Sequence, residues 1–170
     1  MYTDHTLIIK ELERSIKFNN WNSFLSFLPK GSYLVGGYIR DIILGRKTKN
    51  LDIDIVVPLN AIEIGKKIAD NIGSKFIILD KKREVVRIIL NNIYIDIANQ
   101  VSSSIEGDLC SRDFSINSIA FLFDKKCLFD PFNGSTKHFL SNKKAIELIE
   151  KSLEHKSPSI VDVTLLAISI

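Results

Sequence analysis

The sequence predicts an α+β domain built around a small sheet. A short strand, a glycine turn, an amphipathic segment and a second strand follow one another within residues 33–57. Three more apolar runs, 76–79, 85–90 and 93–98, are separated by only five and two residues, which is hairpin spacing. Apolar residues at helical spacing mark 5–28 and 61–72. Helices interleaved with antiparallel strand pairs make the α+β pattern.

A chain of 170 residues holds one domain, or one domain with a helical appendage. Hydrophobic residues make up 45% and charged residues 25%, an ordinary soluble composition. The net charge of +3 and pI of 8.8 permit an acidic partner such as RNA without requiring one. Basic residues come in small groups, such as Lys81-Lys82-Arg83, Lys125-Lys126 and Lys143-Lys144, and read as solvated turns. Cys110 and Cys127 form no CxxC pair and stand beside no histidine cluster, so neither zinc nor a disulfide framework is expected. Asp4, Lys10 and Glu11 break up the N-terminal apolar residues, against a signal peptide. No apolar run approaches the ~18–20 residues needed to cross a bilayer, so no membrane partner is expected and a cytoplasmic location fits best.

Taken in order, residues 5–28 read as helical, with Ile9, Leu12 and Ile16 on one face. After a break at Asn19-Asn20, Trp21, Leu25 and Leu28 continue the stripe, and Pro29-Lys30-Gly31 ends it. Trp21, Phe24 and Phe27 read as packing residues rather than a platform for stacking bases. Tyr33-Leu34-Val35 is a strand, and Gly36-Gly37 turns into the segment Tyr38–Leu44, which stops at Gly45. The free N–H groups at that helix start favour an anion such as phosphate.

The next strand carries Asp52 and Asp54. Alternation along a strand points both carboxylates to one face and Leu51, Ile53 and Ile55 to the other. Two carboxylates a step apart repel each other unless a cation sits between them, and hard oxygen ligands suit magnesium. A phosphate cradle beside metal-binding carboxylates points to nucleotide chemistry.

Beyond Pro58, Asn60 and Glu63 make a capping box for a helix over 61–72, with Gly73 as its stop. Asn91-Asn92 suits a tight hairpin between the last two apolar runs. In the final run Asp96 shares a face with Tyr94 and Ala98, and a lone acid there is unfavourable unless solvated or paired. Asp96 is thus either a third carboxylate beside Asp52 and Asp54 or an edge-strand acid facing water. Within 105–119, Asp113 and Asn117 fall four apart, one helical face, and Arg112 has the planar fork that suits phosphate or ribose oxygens. Short strands follow at 120–123 and 127–129, with Cys127 read as a small buried apolar residue. A turn at Asp130-Pro131-Phe132-Asn133-Gly134, a helix from about 142 to 155 and an apolar segment 160–170 complete the chain.

Three motifs in order resemble the class II tRNA nucleotidyltransferase (CCA-adding) and bacterial poly(A) polymerase family. The first is Leu34-Val35-Gly36-Gly37-Tyr38-Ile39-Arg40-Asp41, then Leu44-Gly45-Arg46, then Asp52-Ile53-Asp54. The second is Asp108-Leu109 with Arg112-Asp113-Phe114-Ser115-Ile116-Asn117, similar to the family's RRDFTINA segment with Ser111 in place of its first arginine. The third is Asp130-Pro131-Phe132-Asn133-Gly134. Together they span roughly residues 32–140.

The resemblance implies a polymerase-β-superfamily nucleotidyltransferase head over 1–140, a small mixed or antiparallel sheet with helices on one side, and the start of a truncated helical neck over 141–170. It implies metal-dependent, template-independent transfer of CMP or AMP from CTP or ATP to an RNA 3′ end, with tRNA the expected acceptor. Asp52 and Asp54 would hold two magnesium ions, one activating the RNA 3′-hydroxyl and one escorting the leaving pyrophosphate, with Asp96 where relatives carry a third acid. Gly36, Gly37 and Arg40 would meet the triphosphate, and Arg112, Asp113 and Asn117 the ribose and phosphates. Three features depart from the family. No arginine follows Asp96 in Ile97-Ala98-Asn99-Gln100-Val101-Ser102. Only nine residues separate Ile95 from Ile105, so the usual long flexible loop is missing, as in members that add only the two cytidines. Asp162 stands where a Glu-Asp-x-x-Arg base-reading segment is expected, without the arginine. The apolar 160–170 segment invites a second chain or self-association that would supply the neck and body helices. Two alternatives stay open: a non-catalytic RNA-binding or assembly subunit, and nucleotidyl transfer to a non-RNA acceptor.

Overall fold

The computed structural model describes residues 5–18, 21–46, 51–112 and 118–131. In chain order these form α1 (His5–Phe18), α2 (Asn22–Leu25), β1 (Tyr33–Val35), α3 (Gly37–Leu44), β2 (Leu51–Val57), α4 (Ala61–Ile72), β3 (Lys75–Asp80), β4 (Val85–Leu90), β5 (Ile93–Asn99), α5 (Ile105–Cys110), β6 (Ala120–Leu122) and β7 (Cys127–Phe129). The expected helix at 142–155, the apolar segment 160–170, residues 132–134 of the turn, and Asp113 and Asn117 lie outside the described residues.

The strands make one sheet in the order β3-β4-β5-β2-β1-β6-β7. Every neighbouring pair is antiparallel except β2 and β5, which run parallel, so the sheet is mixed. The hairpins β3–β4 and β4–β5 follow from short turns, and Asn91 takes the left-handed conformation that the second one needs (φ 54°). The parallel pairing has no local cause. It arises because α4 and the β3–β4 hairpin carry the chain back, so that β5 lies alongside β2.

Alternation gives the sheet two unlike faces. Leu34, Ile53, Ile55, Val57, Val86, Ile88, Ile95, Ile97 and Phe121 point to one side and are buried beneath α1, α3 and α4. Ile8 and Leu12 of α1, Ile39 and Ile43 of α3, and Ile68 and Ala69 of α4 close this core from above. Trp21 and Phe24 are buried in it too, with the Trp21 ring 5.1 Å from Tyr38, so they are packing residues as expected. Helix α4 lies so close to the sheet that a Cβ on Gly65 would come within 2.6 Å of Val86 Cγ2. On the opposite face Val35, Val56 and Ala120 meet Ile105 and Leu109 of the short α5. The rest of that face, around β2, β5 and β4, carries the polar side chains. Cys127 is half-buried in β7, and Cys110 is exposed. Among the described residues no helix is long and apolar enough to cross a membrane.

Helices stop where glycine lets the chain turn. Gly45 ends α3 and Gly73 ends α4, both left-handed (φ 69° and 66°), and the Gly73 N–H donates to the Ala69 carbonyl. The start of α4 departs from expectation. Asn60 sits in the left-handed region (φ 63°) and its side chain makes no cap bond, because side-chain capping needs an extended backbone at that position. Glu63 bonds Lys67 instead of closing a capping box. The Ala61 N–H donates to Asn99 Oδ1 at 2.9 Å, and Asn99 Nδ2 donates to Glu84 Oε2 at 2.9 Å. One side chain from the end of β5 therefore caps α4 and ties down the β3–β4 turn. Asn99→Ala is expected to destabilise the fold by about 1–2 kcal/mol, read by urea unfolding, as for other lost caps. Unchanged stability would show that the cap contributes nothing.

Candidate active site

The polar face is organised by strand register. Val35 of β1, Asp54 of β2, Asp96 of β5, Arg87 of β4 and Ile77 of β3 are successive partners across five strands. Residues directly opposite in a sheet share a face, so Asp54, Asp96 and Arg87 stand in one row. Asp52 lies one step along β2, opposite Tyr94. Asp52 is exposed and Asp54 half-buried. Asp96 is on an interior strand rather than an edge, and it is paired rather than solvated. Arg87 Nε donates to Asp96 Oδ1 at 2.7 Å and Arg87 NH2 to Oδ2 at 2.6 Å. The guanidinium carbon also lies 5.5 Å from the centre of the Tyr94 ring.

The glycine turn abuts this row. Gly36 has φ 79°, and a Cβ there would fall 2.7 Å from Asp54 Oδ2. Backbone and carboxylate are thus in near contact at the start of α3, whose first N–H groups have no side-chain cap. The Arg40 side chain folds back over this end, its NH2 3.1 Å from the position of a Cβ on Gly37, and its Nε donates to Asp41 Oδ1 at 3.0 Å.

Arg112 approaches from the end of α5. Its NH2 donates to Asp108 Oδ2 at 3.3 Å, and Asp108, itself buried, accepts a second bond from the Val101 N–H. The Arg112 Nε is buried without a hydrogen-bond partner among the described residues. A donor of this kind is costly unless something binds it, as an anionic oxygen would. The connection from β5 to α5 is only residues 100–104 and is bonded to itself and its surroundings. Gln100 N–H donates to the Val57 carbonyl at 2.8 Å, Gln100 Nε2 to the Ser102 carbonyl at 2.7 Å, and Ser104 Oγ accepts from the Gly107 N–H. Ser104 has the extended backbone of a helix cap (φ −134°, ψ 157°).

Electrostatics single out Asp54. Burial first, and then the neighbouring Asp96 carboxylate, push its carboxyl above the ordinary value; Asp52 adds to this, while Arg112 and Arg87 pull it back. Arg112 therefore acts on the same carboxylate that abuts Gly36. Among the described residues no group of three or more His, Cys, Asp or Glu side chains could hold an ion by itself. Asp52 and Asp54 could hold a divalent ion here only with further oxygen ligands from outside the protein, a requirement that suits magnesium, which commonly binds through one or two carboxylates. Two hard carboxylates on one face, with negative charge in excess at the buried one, fit that ion.

Of the residues singled out from the sequence, Gly36, Gly37, Arg40, Asp52, Asp54, Asp96 and Arg112 converge on this face and its rim. Arg87 was missed, and Asp108 was quoted in a motif without a role. Arg87 is a lone cation in Val85-Val86-Arg87-Ile88-Ile89, and the reasoning that marked Asp96 as anomalous applies to it equally. Asp108 was visible four residues before Arg112, the spacing of a helical ion pair.

The model of the Poly A polymerase head domain matches residues 32–144, which include the glycine turn, both β2 carboxylates and Arg112. The chain belongs to the poly(A) polymerase head-domain family. This head domain is 39% identical over 126 residues to the CC-adding tRNA nucleotidyltransferase of Synechocystis sp., covering 74% of this chain and 29% of that one. Two solved structures are similar. The CCA-adding enzyme with CTP matches at a TM-score of 0.53 and 33% identity, over 68% of this chain and 32% of that one. The CCA-adding enzyme with ATP matches at 0.57 and 32%, over 74% and 35%. The head domain spans about a third of the length of these relatives.

Proposed function

We propose that this chain is the nucleotidyl-transfer head of a metal-dependent, template-independent RNA nucleotidyltransferase. It moves CMP or AMP from CTP or ATP to an RNA 3′ end, with tRNA the acceptor. The observation that carries this reading is the near contact of Asp54, on the strand and face it shares with Asp52, with the start of α3 at Gly36. Phosphoryl transfer needs positioning and charge neutralisation more than a protein nucleophile, and these groups supply both. Asp52 and Asp54 hold magnesium, which when bound offsets charge on the attacking and leaving oxygens. The Gly36–Gly37 amides and Arg40 take the triphosphate. Arg112, held by Asp108, takes phosphate or ribose oxygens together with Asp113 and Asn117. Asp96 completes the acidic row.

Transfer of CMP is the stronger expectation. The short, internally bonded 100–104 connection supports it, as does the likeness to an enzyme named for adding cytidines. Residues 1–140 form the head and 141–170 begin the neck, and helices outside this head grip the RNA. Nucleotide choice by residues 1–170 tested alone is expected to be relaxed. The test is incorporation of labelled CTP or ATP into cytoplasmic tRNA lacking its 3′ end, with calorimetric binding of both nucleotides in magnesium. Binding of both, with CMP incorporated, is expected. A chain that neither binds nor incorporates either nucleotide overturns the reading.

A further inference from the structure

We propose that Arg87 is a positioning residue of this site, pairing with Asp96 so that Asp52 and Asp54 alone serve as the protein's metal ligands. The inference rests on the nucleotidyl-transfer reading and refines its acidic row. Asp96 stands next to Asp54 in register, yet both of its oxygens are engaged by the Arg87 fork at 2.7 and 2.6 Å. These are short, charge-assisted, bidentate bonds, the geometry in which arginine binds carboxylate most firmly. The fork is braced from the side by the Tyr94 ring. To become a ligand as well, Asp96 would have to bind the ion with lone pairs left on two oxygens that the Arg87 fork already holds in place, and with its charge already offset by a guanidinium that is 37% exposed.

Charge balance points the same way. Three carboxylates share this patch, and Arg87 offsets one of them, while the Arg112 charge is taken up by Asp108. What remains for divalent cations is the pair Asp52–Asp54. Without Arg87, a third unpaired carboxylate would face Asp54 directly and draw cations into a geometry that the strand pair alone does not set.

Manganese binding to the 170-residue chain, followed by titration calorimetry at low ionic strength, tests this without relying on turnover. Asp96→Asn is expected to bind Mn2+ within about threefold of wild type, because a carboxylate already paired contributes little to a neighbouring ion. Arg87→Met, which leaves Asp96 unpaired, should bind Mn2+ at least about tenfold tighter, an electrostatic gain that a purely structural role would not produce. The double variant R87M/D96N should return to within about threefold of wild type, and Arg87→Lys, which keeps the charge, should remain there. Thermal melts confirm that each variant is folded, and the double variant has no unpaired charge to disrupt it. Weakening of Mn2+ binding by Asp96→Asn to the level of Asp54→Asn overturns the inference, as does an unchanged affinity in Arg87→Met. If wild type binds no Mn2+, the metal reading falls and the inference with it, a result distinct from either of the others.

Discussion

Asp54→Asn is expected to reduce nucleotide incorporation by at least about 10³-fold, the loss of several kcal/mol of charge stabilisation at the transferring phosphoryl group. The same substitution should leave the metal-free protein as stable as wild type or more so. Asn has the size of Asp without its charge, and the charge is what the surroundings oppose. Burial and the Asp96 and Asp52 carboxylates raise the Asp54 carboxyl in the folded state. A carboxyl raised in the folded state makes folding less favourable once the pH passes the unfolded value, so at neutral pH Asp54 opposes folding. Asp52→Asn should show a comparable loss of incorporation with little change in melting temperature, because Asp52 is exposed and water already solvates it. The pair of variants separates function from stability: both lose activity, and Asp54→Asn is the one expected to gain stability. Equal activity in wild type and both variants would end the metal-site reading. A lower melting temperature for Asp54→Asn would mean that a hydrogen-bond donor to the ionised carboxylate outweighs the repulsion.

Local features of this head domain were legible in its sequence because their causes are local. Helix α4 runs Ala61–Ile72 as the apolar spacing and Gly73 require, and the strand alternation that points Asp52 and Asp54 to one face is a property of any strand. The parallel pairing of β2 with β5 was not legible, since it depends on how a helix and a hairpin return the chain. That register is what sets Asp96 beside Asp54 and Arg87 beyond it. The sequence could mark Asp96 as a charge needing a partner but not say whether the partner was water, a metal or a cation from the next strand. The same limit explains the α4 cap. Asn60 and Glu63 have the spacing of a capping box, but Asn60 has a left-handed backbone and makes no cap bond, and the acceptor for the Ala61 N–H arrives from Asn99, 38 residues beyond Ala61. Motif resemblance, which carries long-range information indirectly, named residues that the strand register brings to one face, where periodicity could not group them.

Gly36→Ala should be nearly as damaging as loss of a carboxylate, for a reason that involves no charge. A residue with a Cβ at φ 79° and ψ −150° is strained, by roughly 1–3 kcal/mol, and this one would also set that Cβ 2.7 Å from Asp54 Oδ2. Relief requires the carboxylate or the start of α3 to move, and each is part of the proposed site. A displacement of about 1 Å at a reacting centre can cost about 10²-fold in rate, so incorporation should fall by at least that much even where the protein folds. Gly37→Ala is the matched control. It lies in the regular backbone of α3, and its Cβ would meet the Arg40 NH2 at 3.1 Å, the mobile end of a long side chain that can shift by a few tenths of an ångström. A loss of no more than about tenfold, expressed in KM rather than kcat, is expected there if Arg40 contributes to triphosphate binding. Equal losses from the two alanines would mean that the turn acts through its amides alone and that the close approach of Gly36 to Asp54 has no catalytic consequence.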